Sequence, residues 1–212
     1  MTIALALDRI VVRWLTAGGE ALSGTRLAGT RTDLVVRARS GDPEAFEALI
    51  RAAGDHLLAV ARKILRDPDA AEDALQQAVI RAWRRLPQLR DPERFDAWLY
   101  RILVMACYAE ANERRRFTTH VRPIEAPHEA SHERDIGATL ADTDALERAF
   151  LSLTPAHRAV VVLHYVAGLP LNEVARVVGV SHGTARSRLH YGLRAMRTAL
   201  EALERDGPGA GR

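Results

Sequence analysis

The stretch Leu171-Asn-Glu-Val-Ala-Arg-Val-Val-Gly-Val-Ser-His-Gly-Thr-Ala-Arg-Ser-Arg-Leu-His190 restricts the folds open to this chain more than any other part of it. It reads as two short helices about a tight turn. Glu173 to Val178 forms the first helix, and Gly179 stands where a helix closes on a left-handed residue. Ser181 stands where a hydroxyl can accept a freed backbone N–H of the second helix. Ala175, four residues before Gly179, is small and lets the helices cross closely. No acidic residue occurs between Glu173 and Glu201, whereas Arg176, Arg186, Arg188, Arg194 and Arg197 all fall in that interval. A helix-turn-helix whose second helix carries no negative charge suits the major groove of DNA. An ordinary packed helical hairpin is the competing reading, and the one-sided charge weighs against it.

The chain has 212 residues, enough for one or two domains that each bury a core. Its formal net charge is only +3, yet Lys63 is the sole lysine and arginine supplies the rest of the positive charge. The planar guanidinium fork matches phosphates and base edges, although a GC-rich genome yields the same skew. Cys107 is the only cysteine, so no internal disulfide can form; it lies in an apolar helical run as a small core residue. That usage fits a reducing compartment. No apolar run reaches the ~18 residues of a membrane span. The N-terminus has no basic lead-in before its apolar run, so it makes a poor signal peptide. The expected location is the cytoplasm, without membrane insertion.

Residues 1–33 form an extension of unknown role, in which Ile3 to Leu15 can make a short helix before Gly18, Gly19, Gly24 and Gly29 break the pattern. From Leu34 helical periodicity is clear. Asp42-Pro43 opens a helix with Phe46, Leu49, Ile50, Ala53, Leu57, Val60, Ile64 and Leu65 on one face. Asp67-Pro68 ends it and opens a second, with Leu75, Val79, Ala82 and Leu86 inward. A loop between Pro87 and Pro92 leads to a third helix from about Glu93, with Phe95, Trp98, Leu99, Ile102, Leu103 and Ala106 inward, ending at Arg114-Arg115-Arg116. Residues 34–116 thus form one helical domain. Residues 117–141 lose all periodicity and read as a mildly acidic, flexible linker. His120, His128 and His132 in it match no zinc spacing, and neither a metal nor a cofactor is expected. Residues 142–204 form a second helical domain, with Thr154-Pro155 starting an apolar helix that ends at Gly168, followed by the helix-turn-helix. Residues 205–212 read as a disordered tail. The fold class is all-α: two small helical domains joined by a flexible linker, with the helix-turn-helix in the C-terminal one.

In this order the chain carries several words of one known group. Gly41-Asp-Pro-Glu-Ala-Phe46, Asp69-Ala-Ala-Glu-Asp-Ala-Leu-Gln-Gln-Ala78 and Phe95-Asp-Ala-Trp-Leu-Tyr-Arg-Ile102 lie in the first domain. Leu151-Ser-Leu-Thr-Pro155 and Gly183-Thr-Ala-Arg-Ser-Arg-Leu189 lie in the second. Each is weak alone; their order and spacing are strong. Over about residues 34–200 the chain resembles bacterial RNA polymerase sigma factors of the compact extracytoplasmic-function group. The N-terminal domain is similar to their region two and the C-terminal domain to their region four. The chain departs from the pattern at Met105, Ala109, Asn112 and Tyr191, which bears on which bases are read and not on the fold.

The resemblance implies a non-catalytic protein that binds core RNA polymerase, directs it to promoter DNA and promotes opening of the duplex. It implies that Asp69, Glu72, Asp73, Gln76 and Gln77 meet the polymerase, where a solvated, dipole-favoured helix start is the plainer alternative. It implies that the loop after Leu86 and the helix following it handle the minus-ten element, with a base flipped out of the stack. Trp83 and Trp98 are the candidate stacking residues, and Arg84, Arg90, Arg94 and Arg101 the phosphate contacts. Trp98 also lies on the inward stripe with Phe95 and reads more readily as core. For the minus-thirty-five element the candidates are Ser181, Thr184, Arg186, Ser187, Arg188, His190, Tyr191 and Arg194, with one of Arg186 and Arg188 reading a base and the other gripping phosphate. An anti-sigma partner fits the group, though no residue marks one. A linker of about 25 residues spans ~25–30 Å as coil and up to ~80 Å extended. The two elements lie roughly 50–55 Å apart, so the linker must stretch to serve both. A stand-alone helix-turn-helix regulator would leave residues 34–116 without a task. An enzyme finds no nucleophile–base pair, metal spacing or glycine-rich phosphate loop.

Overall fold

The computed structural model describes residues 28–120 and 139–206. Among them are eight α-helices and no strand: α1 (Ala28–Arg39), α2 (Pro43–Leu65), α3 (Pro68–Arg85), α4 (Phe95–His120), α5 (Thr139–Ser152), α6 (Pro155–Tyr165), α7 (Leu171–Val178) and α8 (His182–Asp206). The short helix read at Ile3 to Leu15, the linker acids Glu125, Glu129 and Glu133, His128 and His132, and the final residues of the tail lie outside the described residues.

Local chemistry sets the helix starts. Asp42 caps α2 by accepting from the Glu44 and Ala45 N–H groups at 3.0 and 3.1 Å, with Pro43 in the first turn. Asp67 does the same for α3 through the Ala70 N–H at 3.0 Å, again before a proline. Asp91 accepts from the Glu93 N–H at 3.1 Å and starts a single 3-10 turn, Pro92–Arg94, which runs straight into α4. Proline fits these positions because the N–H it lacks has no helical partner there. Between α2 and α3 the chain turns at Arg66, the one non-glycine residue with positive φ among the described residues (φ 62°).

Several boundaries differ from the sequence reading. A helix not expected from the sequence, Ala28–Arg39, precedes the three that were and begins inside the stretch read as an extension. α4 continues to His120 beyond the three arginines, α5 begins at Thr139, inside the stretch read as linker, and α8 runs to Asp206, into the stretch read as tail. Phe117-Thr-Thr-His120 holds poor helix formers but no glycine or proline, so nothing there breaks a helix already propagating from Phe95. The inward face of α3 also differs. Ala82 and Leu86 are buried as expected, but so are Ala71, Ala74 and Ala78, whereas Leu75 and Val79 are only half-buried. Four alanines let α3 lie close against α2 and α4, the two helices it packs on.

The buried side chains form one continuous cluster running from Val35 to Met196 through both groups of helices. α4 is its axis. It packs on α2 and α3 of its own half and on α6 and α7 of the other, and α2 packs on α6. Leu99, Tyr100, Ile102, Leu103, Val104, Ala106 and Cys107 are therefore buried almost all round the helix, as a helix covered on several sides requires. Burial pushes the Cys107 thiol up to about 12, which leaves it an inert core group. Across the seam, Arg66 forms an ion pair with Glu147 of α5. Beside it Arg158 of α6 is 8% exposed and its Nε has no partner. Burial, and secondarily the Arg66 charge, pull the Arg158 pKa down to about 10.

Candidate nucleic-acid interface

The C-terminal turn has the geometry that its residues suggest. α7 ends on Gly179 at φ 73°, ψ 36°, with its N–H donating to the Ala175 carbonyl. The Val180 N–H donates to the same carbonyl at 3.0 Å. Two donors on one acceptor close the helix and reverse the chain, and the positive φ is what glycine supplies without a Cβ penalty. Ser181 then accepts from the Thr184 N–H at 3.1 Å and starts α8. Val174, Val177 and Val178 of α7 and Ala185 and Met196 of α8 are buried. This inner set fixes the rotation of α8 and turns Ser181, Thr184, Arg186, Ser187, His190, Tyr191 and Arg194 outward, all exposed. Arg188, the other residue expected on this face, is half-buried. Its charge bears on Tyr108 of α4 and on His157 of α6. Burial drives the Tyr108 hydroxyl up to about 12 against that charge.

The N-terminal half presents two faces. On α3, Asp69, Glu72, Asp73, Gln76 and Gln77 are all exposed at spacings that put them on one side of the helix. Glu72 is paired with Arg62 of α2 at 2.9 Å. Ile80, 39% exposed, prolongs this side beyond Gln76 toward Trp83, 38% exposed. The sequence reading passed over Ile80; an apolar residue four positions after Gln76, on the outer face, was the signal. The second face joins the end of α3 to α4. Arg84, Arg90, Arg94 and Arg101 are exposed, and Trp83 leans on Phe46 with ring centroids 5.0 Å apart. Trp98 is half-buried, packed against the core and 5.8 Å from the Phe95 ring, so its core role is the one realised in this arrangement. Met105, Ala109 and Asn112 are all exposed on α4, and the last two line a shallow groove with Glu113 and Arg116.

These faces are not independent. The Arg101 guanidinium of α4 donates to the Arg176 carbonyl of α7 at 3.5 Å, so a residue expected at one DNA element touches the helix that precedes the one expected at the other. Among the described residues no group of three or more His, Cys, Asp or Glu side chains could hold a metal ion, and no helix is long and apolar enough to cross a membrane.

Comparison with known proteins gives two family matches, Sigma-70 region 2 over residues 49–117 and Sigma-70, region 4 over residues 149–198. The chain is 34% identical over 173 residues to the ECF RNA polymerase sigma factor SigL of Mycobacterium tuberculosis, covering 77% of this chain and 96% of that protein. It is 31% identical over 169 residues to the RNA polymerase sigma-E factor of Streptomyces avermitilis, covering 78% of this chain and 90% of that one. Its fold is similar to that of the sigma factor RpoE from Bartonella quintana, solved in complex with the anti-sigma factor NepR, with a TM-score of 0.61 at 22% identity over 74% of this chain and 96% of that one. It is also similar to CnrH, solved with the cytosolic domain of CnrY, with a TM-score of 0.58 at 24% identity over 81% of this chain and 97% of that one.

Proposed function

Since the chain belongs to the RNA polymerase sigma factors, in their extracytoplasmic-function group, we propose that each of its exposed faces serves one step of promoter-directed initiation. As a member of that family it directs RNA polymerase to promoters. Its part is recognition and regulation; the chemistry of RNA synthesis belongs to the polymerase, in the cytoplasm.

The α3 face of Asp69, Glu72, Asp73, Gln76 and Gln77 binds core polymerase, with Ile80 as an apolar anchor at its end. Exposed carboxylates beside an exposed isoleucine suit a basic partner surface with an apolar centre. The second face handles the minus-ten element: Arg84, Arg90, Arg94 and Arg101 grip phosphates, and Trp83 stacks on an unpaired base, a contact worth ~1–3 kcal/mol. Trp98 holds that region in shape from beneath. α8 enters the major groove at the minus-thirty-five element. Arg186, near its start and exposed, reads a base; Arg188, deeper at the seam, takes a phosphate once the halves part.

The observation that supports this most is the exposed face of α8 from His182 to Arg194, free of acids, held outward by the Gly179 turn and the Ser181 cap. Serving both elements requires the halves to separate, because α4 and α7 touch here while the two elements lie roughly 50–55 Å apart. A protein of the anti-sigma class that favours the joined arrangement is the restraint we propose. Reversal of charge at Asp73, which unlike Glu72 has no arginine shown against it, tests the first assignment: Asp73→Lys loses co-purification with core polymerase, and undiminished co-purification overturns it.

A further inference from the structure

We propose that His157 is a positioning residue for promoter binding, bracing Tyr191 so that its hydroxyl meets a DNA backbone phosphate beside the minus-thirty-five element. The inference rests on α8 being the helix that enters that element.

Tyr191 is the most exposed of the large apolar side chains among the described residues, at 58%. A free surface tyrosine samples several rotamers, yet this one lies against the His157 ring with centroids 4.8 Å apart and planes tilted by 44°. His157 is in turn fixed. Its Nδ1 is 2.7 Å from the Thr154 hydroxyl, and its own N–H donates to that same oxygen at 3.4 Å. One hydroxyl thus caps α6 and sets the plane of the ring. Burial, and then the Arg188 charge, depress the proton affinity of His157, which favours the neutral ring that packs on tyrosine as an aromatic.

The approach of the two rings is built into the next residue. A Cβ on Gly192 would sit 2.7 Å from Val161 Cγ2, so α8 crosses α6 closely enough that an added side chain must displace Val161. His157 is one helical turn before Val161 on α6, and Tyr191 adjoins Gly192, which brings the pair together beside the crossing. Tyr191 is also well past the first turns of α8, the turns that meet base edges in a helix-turn-helix. At that distance along the helix, about 1.5 Å per residue, the next available group is the phosphate backbone. Phosphate contacts fix register and carry no base information. Tyr191 with His157 behind it therefore sets how α8 sits, while Arg186 does the reading.

The test uses the full chain assembled with core polymerase and a pool of duplexes randomised over the minus-thirty-five region. Binding is measured on the duplex most enriched by the unsubstituted protein, and base preference by sequencing the bound pool. Tyr191→Phe is expected to weaken binding about tenfold, the loss of one hydrogen bond to a charged group. His157→Ala is expected to weaken it several-fold, with little further loss when combined with Tyr191→Phe, because it acts through Tyr191. His157→Phe, which keeps a ring behind Tyr191, retains most of the binding and serves as the variant if His157→Ala melts early. Base preference stays unchanged in all of them. Additive losses, a shifted base preference or no effect of Tyr191→Phe would overturn the proposal. Arg186→Ala and Arg188→Ala in the same pool separate the two levels: if both leave base preference intact, the reading of α8 has failed, and not only the brace.

Discussion

Arg101 of α4 donates to the backbone carbonyl of Arg176 in α7, joining the helix assigned to one promoter element to the helix that supports the reader of the other. The contact is one stitch in a seam that also holds the Arg66–Glu147 ion pair and the packing of α2 on α6. The seam has a flaw. Arg158 is buried in it beside Arg66, with an Nε that no partner satisfies. A buried cation facing another cation disfavours the joined arrangement, so the seam is held by apolar contact and one ion pair against a charge it desolvates.

Two substitutions should move this seam in opposite directions. Glu147→Arg removes the partner of Arg66 and adds a third cation, so the free protein should expand, read as a larger radius of gyration by small-angle X-ray scattering. Arg158→Met keeps the volume and removes the desolvated charge. It should tighten the closed form by ~1–4 kcal/mol and raise the melting temperature. Equal dimensions for both variants would show that charge does not govern the seam.

Two glycines should fail for different reasons. Gly179→Ala meets nothing within 4 Å but forces a side chain into φ 73°, at a cost of about 1–2 kcal/mol. Gly192→Ala has an ordinary helical backbone and gains helix propensity, yet its Cβ would press on Val161 Cγ2, and overpacking of this kind costs about 1–3 kcal/mol. Val161→Ala should therefore rescue Gly192→Ala and leave Gly179→Ala unrelieved in thermal melts.

Much of this was legible in the sequence because the signals are local. Asp42-Pro43, Asp67-Pro68, Thr154-Pro155, Gly179 and Ser181 each act on the backbone within four residues, and each sits at the helix end it suggests. The seam was not legible. Nothing near Glu147 in sequence points to Arg66, and a stripe such as Phe95, Leu99, Ile102, Leu103 and Ala106 gives one buried face without revealing that α6 and α7 cover another. Ala71, Ala74 and Ala78 of α3 escaped for a related reason: reading by large apolar residues looks past alanines that allow close approach. Arg188 is half-buried, with its charge bearing on Tyr108 and His157 of other helices, which could not be read from α8 alone.

The two arginines of α8 should separate by kind of loss. Arg186→Ala should reduce discrimination at one base pair by ~1–3 kcal/mol, seen as a relaxed preference at that position. Arg188→Ala should weaken all sequences alike and lower the salt dependence of binding by about one phosphate's worth. A relaxed preference from Arg188→Ala would reverse the assignment.

Acid should act at the start of α2. The Asp42 carboxyl is held below its usual value of 3.8, by the Ala45 N–H first and the Arg37 guanidinium next. A carboxylate with a depressed folded-state pKa stabilises the protein above its unfolded value, and that stability is lost as pH falls through the folded pKa. Asp42→Asn, which still caps but carries no charge for Arg37, should lower the melting temperature modestly at pH 7 and converge with the unsubstituted protein as pH falls below about 4. An unchanged acid limb would mean that other carboxylates set it.

The most direct measurement adds the purified chain to core RNA polymerase and maps the 5′ ends of transcripts made from a genomic fragment pool. The account predicts new, discrete start sites that share two short upstream boxes at fixed spacing, and their loss with Asp73→Lys. Start sites no different from those of core polymerase alone, or boxes bound equally well by the chain without polymerase, would contradict it.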